Sequence, residues 1–184
     1  MALEDILGAV TLLILPVCCR WNGAPVGSCR TMDPKHNVGP KEIPHGYTLK
    51  TENEGMNFNV TLSGDVFKGF MIRAMIKKGT SENYLPGKFH STDSAIKWLR
   101  CDGNDASAVT HGNSERKNLV TVSWTGFTSP KHTPNIFFRA TVVQNVTFYW
   151  LRIDSEVIAL GSASRCGFNM ILSFYVACLH TLFR

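Results

Sequence analysis

The sequence has no apolar run long enough to span a bilayer and no cluster of basic residues. The apolar stretch at residues 6–17 is shorter than the roughly 20 residues that a spanning helix needs. The 19 lysines and arginines give a formal net charge of +5, but they are scattered along the chain. Because a nucleic-acid groove needs a clustered basic stripe, we expect no nucleic-acid partner and at most a mild attraction to anionic cell surfaces.

Catalytic signatures are also missing. The sequence contains no GxSxG elbow, no HExxH pair and no phosphate-binding loop. Its aspartates fall in turns or at strand ends, where they ordinarily bond to the local backbone. Two Cys–His pairs, Cys29 with His36 and Cys101 with His111, leave a metal site or a disulfide open, but their spacings are not those of a zinc finger or ribbon. The sequence predicts a non-catalytic protein without a cofactor.

The first 19 residues have the character of a secretory signal peptide. Their apolar core is of the usual length, and cleavage after Cys19 would start the mature chain at Arg20. Glu4 and Asp5 stand where a positive charge is usual, so a buried N-terminal segment is the alternative. We therefore expect a secreted protein.

Two sequons, at Asn59 and Asn145, predict N-glycosylation and fit passage through the secretory pathway. Apolar residues alternate around Asn59, which places it on the wet face of a strand. Asn145 opens the next apolar segment, where a strand end would be accessible. A glycan at either position would avoid the core.

Alternating apolar residues dominate residues 47–157, and no long segment has helical periodicity. Turn residues separate the short runs, with none of the long crossovers that parallel strands require. This pattern predicts an all-β fold, an immunoglobulin-like antiparallel β-sandwich. The Gly- and Pro-rich residues 20–46 are expected to be an irregular N-terminal segment that lies along the sandwich and covers outward aromatic rings.

Several ordered motifs resemble the reelin N-terminal, or reeler, domain. They are GAPVGSCRTMDPKH, VTLSGDVFKGFMIRA, LRCDG with AVTHGN, VTVSW, IFFRATVVQN and FYWLRIDS, and they span residues 23–157. The resemblance places a reeler domain at residues 20–157 and implies an extracellular β-sandwich. Similar domains occur alone in insect defence proteins and at the head of ferric-chelate reductase-like proteins, spondins and reelin.

The resemblance also implies a Cys29–Cys101 disulfide, which an oxidising compartment would favour. Oxidised sulfurs are not thiolate ligands, so no metal site is expected. His36 and His111 are then expected to be structural, with ring nitrogens bonded to backbone at strand ends.

Residues 158–184 form an apolar tail that departs from the stand-alone family pattern. The run from Met170 to Phe183 is short for a spanning helix and follows the small residues 161–164, as in a lipid-anchor signal. Membrane association of the intact tail and an artefactual read-through or splice tail are the alternatives. Cys166 and Cys178 either pair or stay free.

The leading functional hypothesis is a secreted, non-catalytic defence protein that binds microbial cell-surface glycans or lipids. The alternatives are an extracellular matrix or adhesion module, or a truncated ectodomain of a ferric-chelate reductase-like membrane protein. A membrane contact is expected only through the C-terminal tail.

Overall fold

The structure, a computed structural model, describes residues 22–54, 57–126 and 135–159. The signal peptide expected at residues 1–19 and the tail from residue 160 onward lie outside these residues. The strands are β1 (Thr48–Glu54), β2 (Asn57–Phe67), β3 (Gly69–Lys78), β4 (Ser81–Tyr84), β5 (Gly87–His90), β6 (Ile96–Cys101), β7 (Asn104–His111), β8 (Lys117–Gly126), β9 (Asn135–Asn145), β10 (Phe148–Asp154) and β11 (Ile158–Ala159). Val26–Ser28 form a 3-10 turn. No helix within these ranges is long and apolar enough to cross a membrane.

The strands form two antiparallel sheets. One sheet has the order β1-β2-β8-β5, and the other follows β10-β9-β3-β7-β6, with β11 paired to β9 and β4 paired to β3. Every strand pair is antiparallel, as the short connections indicate. The predicted all-β, immunoglobulin-like antiparallel sandwich is confirmed.

The main core lies between the two sheets and follows the period-2 alternation of the sequence. Phe70, Ile72 and Ala74 of β3 point into it, together with alternate residues of β2 and β8. Trp124 is fully buried there, with its ring 5.5 Å from that of Phe138. Gly126 is required beside it, because a Cβ at that position would lie 1.7 Å from the indole. Burial of these large side chains supplies the main stabilisation of the sandwich.

A second layer covers the outer face of the larger sheet. Residues 22–46, here called the covering segment, lie across β3, β7 and β9 and form a small cluster with them that includes Met32, Met71 and Ala108. Side chains of the sheet donate hydrogen bonds to its backbone, such as Thr141 Oγ1 to the Met32 carbonyl at 2.7 Å and the Tyr149 hydroxyl to the Val38 carbonyl at 2.8 Å. The segment that the sequence indicated as irregular is therefore a fixed part of the fold.

Candidate binding cleft

A disulfide fixes the covering segment to the sheet. Cys29 and Cys101 are joined across 72 positions of sequence, with their Cα atoms 5.6 Å apart, and both residues are buried. This is the pairing that the family resemblance implies. The two sulfurs are therefore not thiolate metal ligands. Among the residues that the structure describes, no group of three or more His, Cys, Asp or Glu could hold a metal ion.

The Arg73 side chain bonds to the chain at both cysteines of this disulfide, to Cys29 itself and to the residue that follows Cys101. Its guanidinium donates to the Cys29 carbonyl oxygen at 2.6 Å and to Asp102 Oδ2 at 2.8 Å, and it lies 3.6 Å from the ring centroid of Tyr84. The Tyr84 hydroxyl in turn donates to the Arg30 carbonyl at 2.6 Å. The sequence pattern placed Arg73 among the scattered basic residues and, with Met71, on the face of this strand opposite Phe70, Ile72 and Ala74. Its position beside Met71 on β3 was the available signal that it faces the covering segment.

A cleft of about 610 Å³ opens between the covering segment and the sheet. Its lining includes apolar side chains from β3, β9 and the covering segment, and two exposed lysines, Lys35 and Lys68. The lining contains no Asp or Glu. A concave, mainly apolar surface with a few polar groups is typical of small-molecule sites. The apolar side chains of the lining include Pro25, Met32, Met71, Val143 and Val146.

Both predicted structural histidines line this cleft. The Phe70 amide donates to His111 Nδ1 at 3.3 Å, and the Thr110 hydroxyl lies 3.1 Å from the same nitrogen. Gly69 leaves room for this ring, since a Cβ there would lie 3.0 Å from His111 Cε1. His111 thus has the backbone contact expected of it.

His36 differs from the expectation. Its Nδ1 is buried without a hydrogen-bond partner in the described part of the chain, and its ring packs edge-on against Tyr149 with centroids 5.6 Å apart. Burial, with a smaller contribution from Asp33, raises the pKa of Tyr149. The phenol therefore stays protonated and donates to the Val38 carbonyl at 2.8 Å. An aromatic contact rather than a Nδ1–backbone bond orients His36.

The turn between β9 and β10 forms one side of the cleft mouth. Asn145 and Val146 line the cleft, and the neighbouring Phe148 is partly exposed, with Lys41 Nζ 4.4 Å from its ring centroid. The other sequon residue, Asn59, lies far along the chain on the outer face of the smaller sheet, where its Nδ2 donates to Glu54 Oε1 at 2.8 Å. Of the two sequon asparagines, only Asn145 therefore lines the cleft.

A second cavity, of about 730 Å³, lies between β1 and the β10–β11 region. Both signs of charge line it: Lys50 and Arg152 against Glu52, Asp154 and Glu156. This mixed lining favours no charge of ligand. The cleft under the covering segment is the better candidate site, because its charged side chains share one sign.

Comparison with known proteins agrees with this architecture. The family model described as the Reeler domain matches residues 27–165. Human "Ferric-chelate reductase 1" is 34% identical over 77% of this chain, which spans about a quarter (24%) of that protein. "Putative defense protein 3" of Antheraea mylitta is 31% identical over 75% of this chain, which spans 85% of that protein.

A solved structure shares the fold. The crystal structure of the Reelin-N domain of F-spondin matches with a TM-score of 0.50 and 17% identity, over 71% of this chain and 95% of that one. The family match covers most of the chain, including both disulfide cysteines and the whole cleft-forming part of the sheet. The chain belongs to the reeler domain family.

Proposed function

We propose that this protein is a secreted, non-catalytic defence protein that binds anionic amphiphilic molecules of microbial surfaces in the cleft. The similarity to "Putative defense protein 3" of Antheraea mylitta supports the defence role, because this chain spans 85% of that protein. The observation that carries the ligand class is the combination in one cleft of an apolar lining, two exposed lysines and no carboxylate. Such a site suits a molecule with an acyl chain and a phosphate.

Each part of the cleft matches one part of such a ligand. Met71 and Val143 form an apolar floor on the sheet, on which an acyl chain would lose contact with water. Lys35 of the covering segment and Lys68, which precedes β3, are exposed residues of the lining, so a phosphate bound near them would meet positive charge. A carboxylate in the lining would repel the phosphate, and none is present. The two lysine charges would add little to the binding of a neutral glycan.

The proposal is tested by reversing the two rim charges. We expect the K35E/K68E variant to bind short-chain phosphatidylglycerol, dispersed below its micelle concentration, at least about tenfold more weakly than the parent, since each lysine near an anionic group contributes about 1 kcal/mol. Isothermal titration calorimetry measures this. The K50E/K88E variant has the same net charge and alters exposed lysines of the smaller sheet, so it is the matched control.

Equal loss of affinity in both double variants would show that only net charge matters and would contradict a site in the cleft. If the parent protein does not bind short-chain phosphatidylglycerol, the proposed ligand class is wrong. The same absence of binding would favour the second candidate function, a module of a ferric-chelate reductase-like membrane protein. That candidate is supported by 34% identity to part of the human reductase.

A further inference from the structure

We propose that Asn145 carries an N-linked glycan at the mouth of the cleft, and that this glycan admits dispersed amphiphiles while excluding membrane surfaces. The inference rests on the proposed function, because it concerns access to the same cleft. It would make the protein a receptor for released microbial lipids rather than for intact bilayers. Three observations carry it: the state of the Asn145 amide, the contrast with Asn59, and the apolar side chains beside Asn145.

The Asn145 side chain is held in a defined orientation with its amide nitrogen unused. Its Oδ1 accepts hydrogen bonds from the Thr147 amide at 2.9 Å, the Thr147 hydroxyl at 2.9 Å and the Phe148 amide at 3.0 Å. Nδ2 makes no hydrogen bond within the described residues, and Asn145 is exposed while also lining the cleft. A substituent on Nδ2 therefore costs no native hydrogen bond and stands at the cleft mouth.

Asn59 offers a natural comparison. It lies within β2 between two paired strands, opposite Glu52 on one side and Ser123 on the other, and its Nδ2 is engaged by Glu54. A glycan there would replace one proton of a nitrogen that already donates to Glu54, and it would lie on the opposite sheet from the cleft. Loss of the Asn59 sequon should therefore leave access to the cleft unchanged.

The modification itself needs a lipid-linked oligosaccharide pyrophosphate, the ordinary donor of the secretory pathway. Nδ2 loses one proton and forms a bond to the anomeric carbon of the sugar. The bond from that carbon to the pyrophosphate oxygen breaks, and the lipid pyrophosphate leaves. Nothing is oxidised or reduced.

The glycan would separate two kinds of ligand by their size and shape. Val146 is 47% exposed and lines the cleft together with Lys35 and Lys68, and Phe148 is 38% exposed with Lys41 at its ring. Without a glycan this turn therefore presents apolar side chains beside lysines, a combination that binds anionic bilayers. A hydrated glycan on Asn145 would hold an extended surface away from this rim. A single lipid molecule would still enter from the side of the covering segment.

The test compares the full chain secreted from glycosylating cells with its T147A and T147S variants. T147A removes the sequon and keeps both backbone hydrogen bonds to Asn145, whereas T147S keeps the sequon and the hydroxyl. N59Q is the control for the other glycan. Peptide mass spectrometry measures the fraction of Asn145 that carries a glycan. Flotation with phosphatidylglycerol vesicles measures binding to bilayers, and titration with the dispersed short-chain lipid measures binding of single lipid molecules.

We expect an occupied Asn145 in the parent and in T147S. T147A should bind vesicles at least about tenfold more strongly than the parent, with an affinity for dispersed lipid unchanged within about twofold. An unmodified Asn145 in the parent, or equal vesicle binding by parent and T147A, would overturn the inference. Failure of every form to bind dispersed lipid would instead refute the proposed function.

Discussion

Replacing Arg73 by alanine is expected to lower the free energy of unfolding by about 3–5 kcal/mol, because a buried carbonyl loses its donor and the missing side chain leaves a cavity. The Arg73 side chain is only 3% exposed. Its loss would leave the Cys29 carbonyl without its donor and Asp102 without its cation, and would remove the group against which Tyr84 packs. Urea denaturation monitored by fluorescence measures the change.

Arg100 is the matched control for this prediction. It pairs with Asp105 at 3.2 Å, and the two side chains are 69% and 74% exposed. Such surface pairs contribute at most about 1 kcal/mol, so R100A should be close to the parent in stability. A loss of less than about 1 kcal/mol in R73A would show that the buried guanidinium does not hold the covering segment.

Removal of the disulfide by the double replacement C29S/C101S is expected to destabilise the protein by about 4 kcal/mol, from the chain entropy regained by a loop of 72 residues. The loss should be concentrated in the covering segment, because the main core lies on the other face of the sheet. We expect the β-sheet signal in circular dichroism to persist in buffer, while binding to the cleft is lost.

Limited trypsin digestion locates this effect. Arg30 and Lys35 are cleavage sites within the covering segment, held in the parent by the disulfide and by bonds such as Tyr84 to the Arg30 carbonyl. Cleavage at these two residues should be much faster in the double variant than in the parent. Equal cleavage rates, or equal lipid affinity, would mean that the disulfide is not needed to form the cleft.

The sandwich could be predicted from the sequence because its physical signal is local. Alternation on β3 separates Phe70, Ile72 and Ala74, which face the main core, from Met71 and Arg73, which face the covering segment. Turn residues and short connections then require antiparallel neighbours. Each of these signals lies within a few positions of the residue that it describes.

The cleft could not be predicted in this way, because it is formed where the covering segment leaves the sheet. Lys35 and Lys68 come to one rim although 33 positions separate them, and no periodicity connects them. Met32 and Lys35 also have φ angles of 56° and 54°, a left-handed backbone that favours glycine and that nothing in their residue types indicates. A structural role for His36 and His111 could be predicted, but nothing in the sequence indicated that folding places both in the cleft wall.

Photo-crosslinking tests most directly whether the cleft holds an anionic amphiphile. A short-chain phosphatidylglycerol with a diazirine at the end of one acyl chain would be irradiated with the native protein, and the labelled residues would be read by peptide mass spectrometry. We expect label on Val143 and on neighbouring cleft residues such as Pro25, suppressed by excess unlabelled lipid and reduced in K35E/K68E. Label concentrated on the outer face of the smaller sheet, around Thr61 and Thr121, or label that unlabelled lipid does not suppress, would contradict a binding site in the cleft.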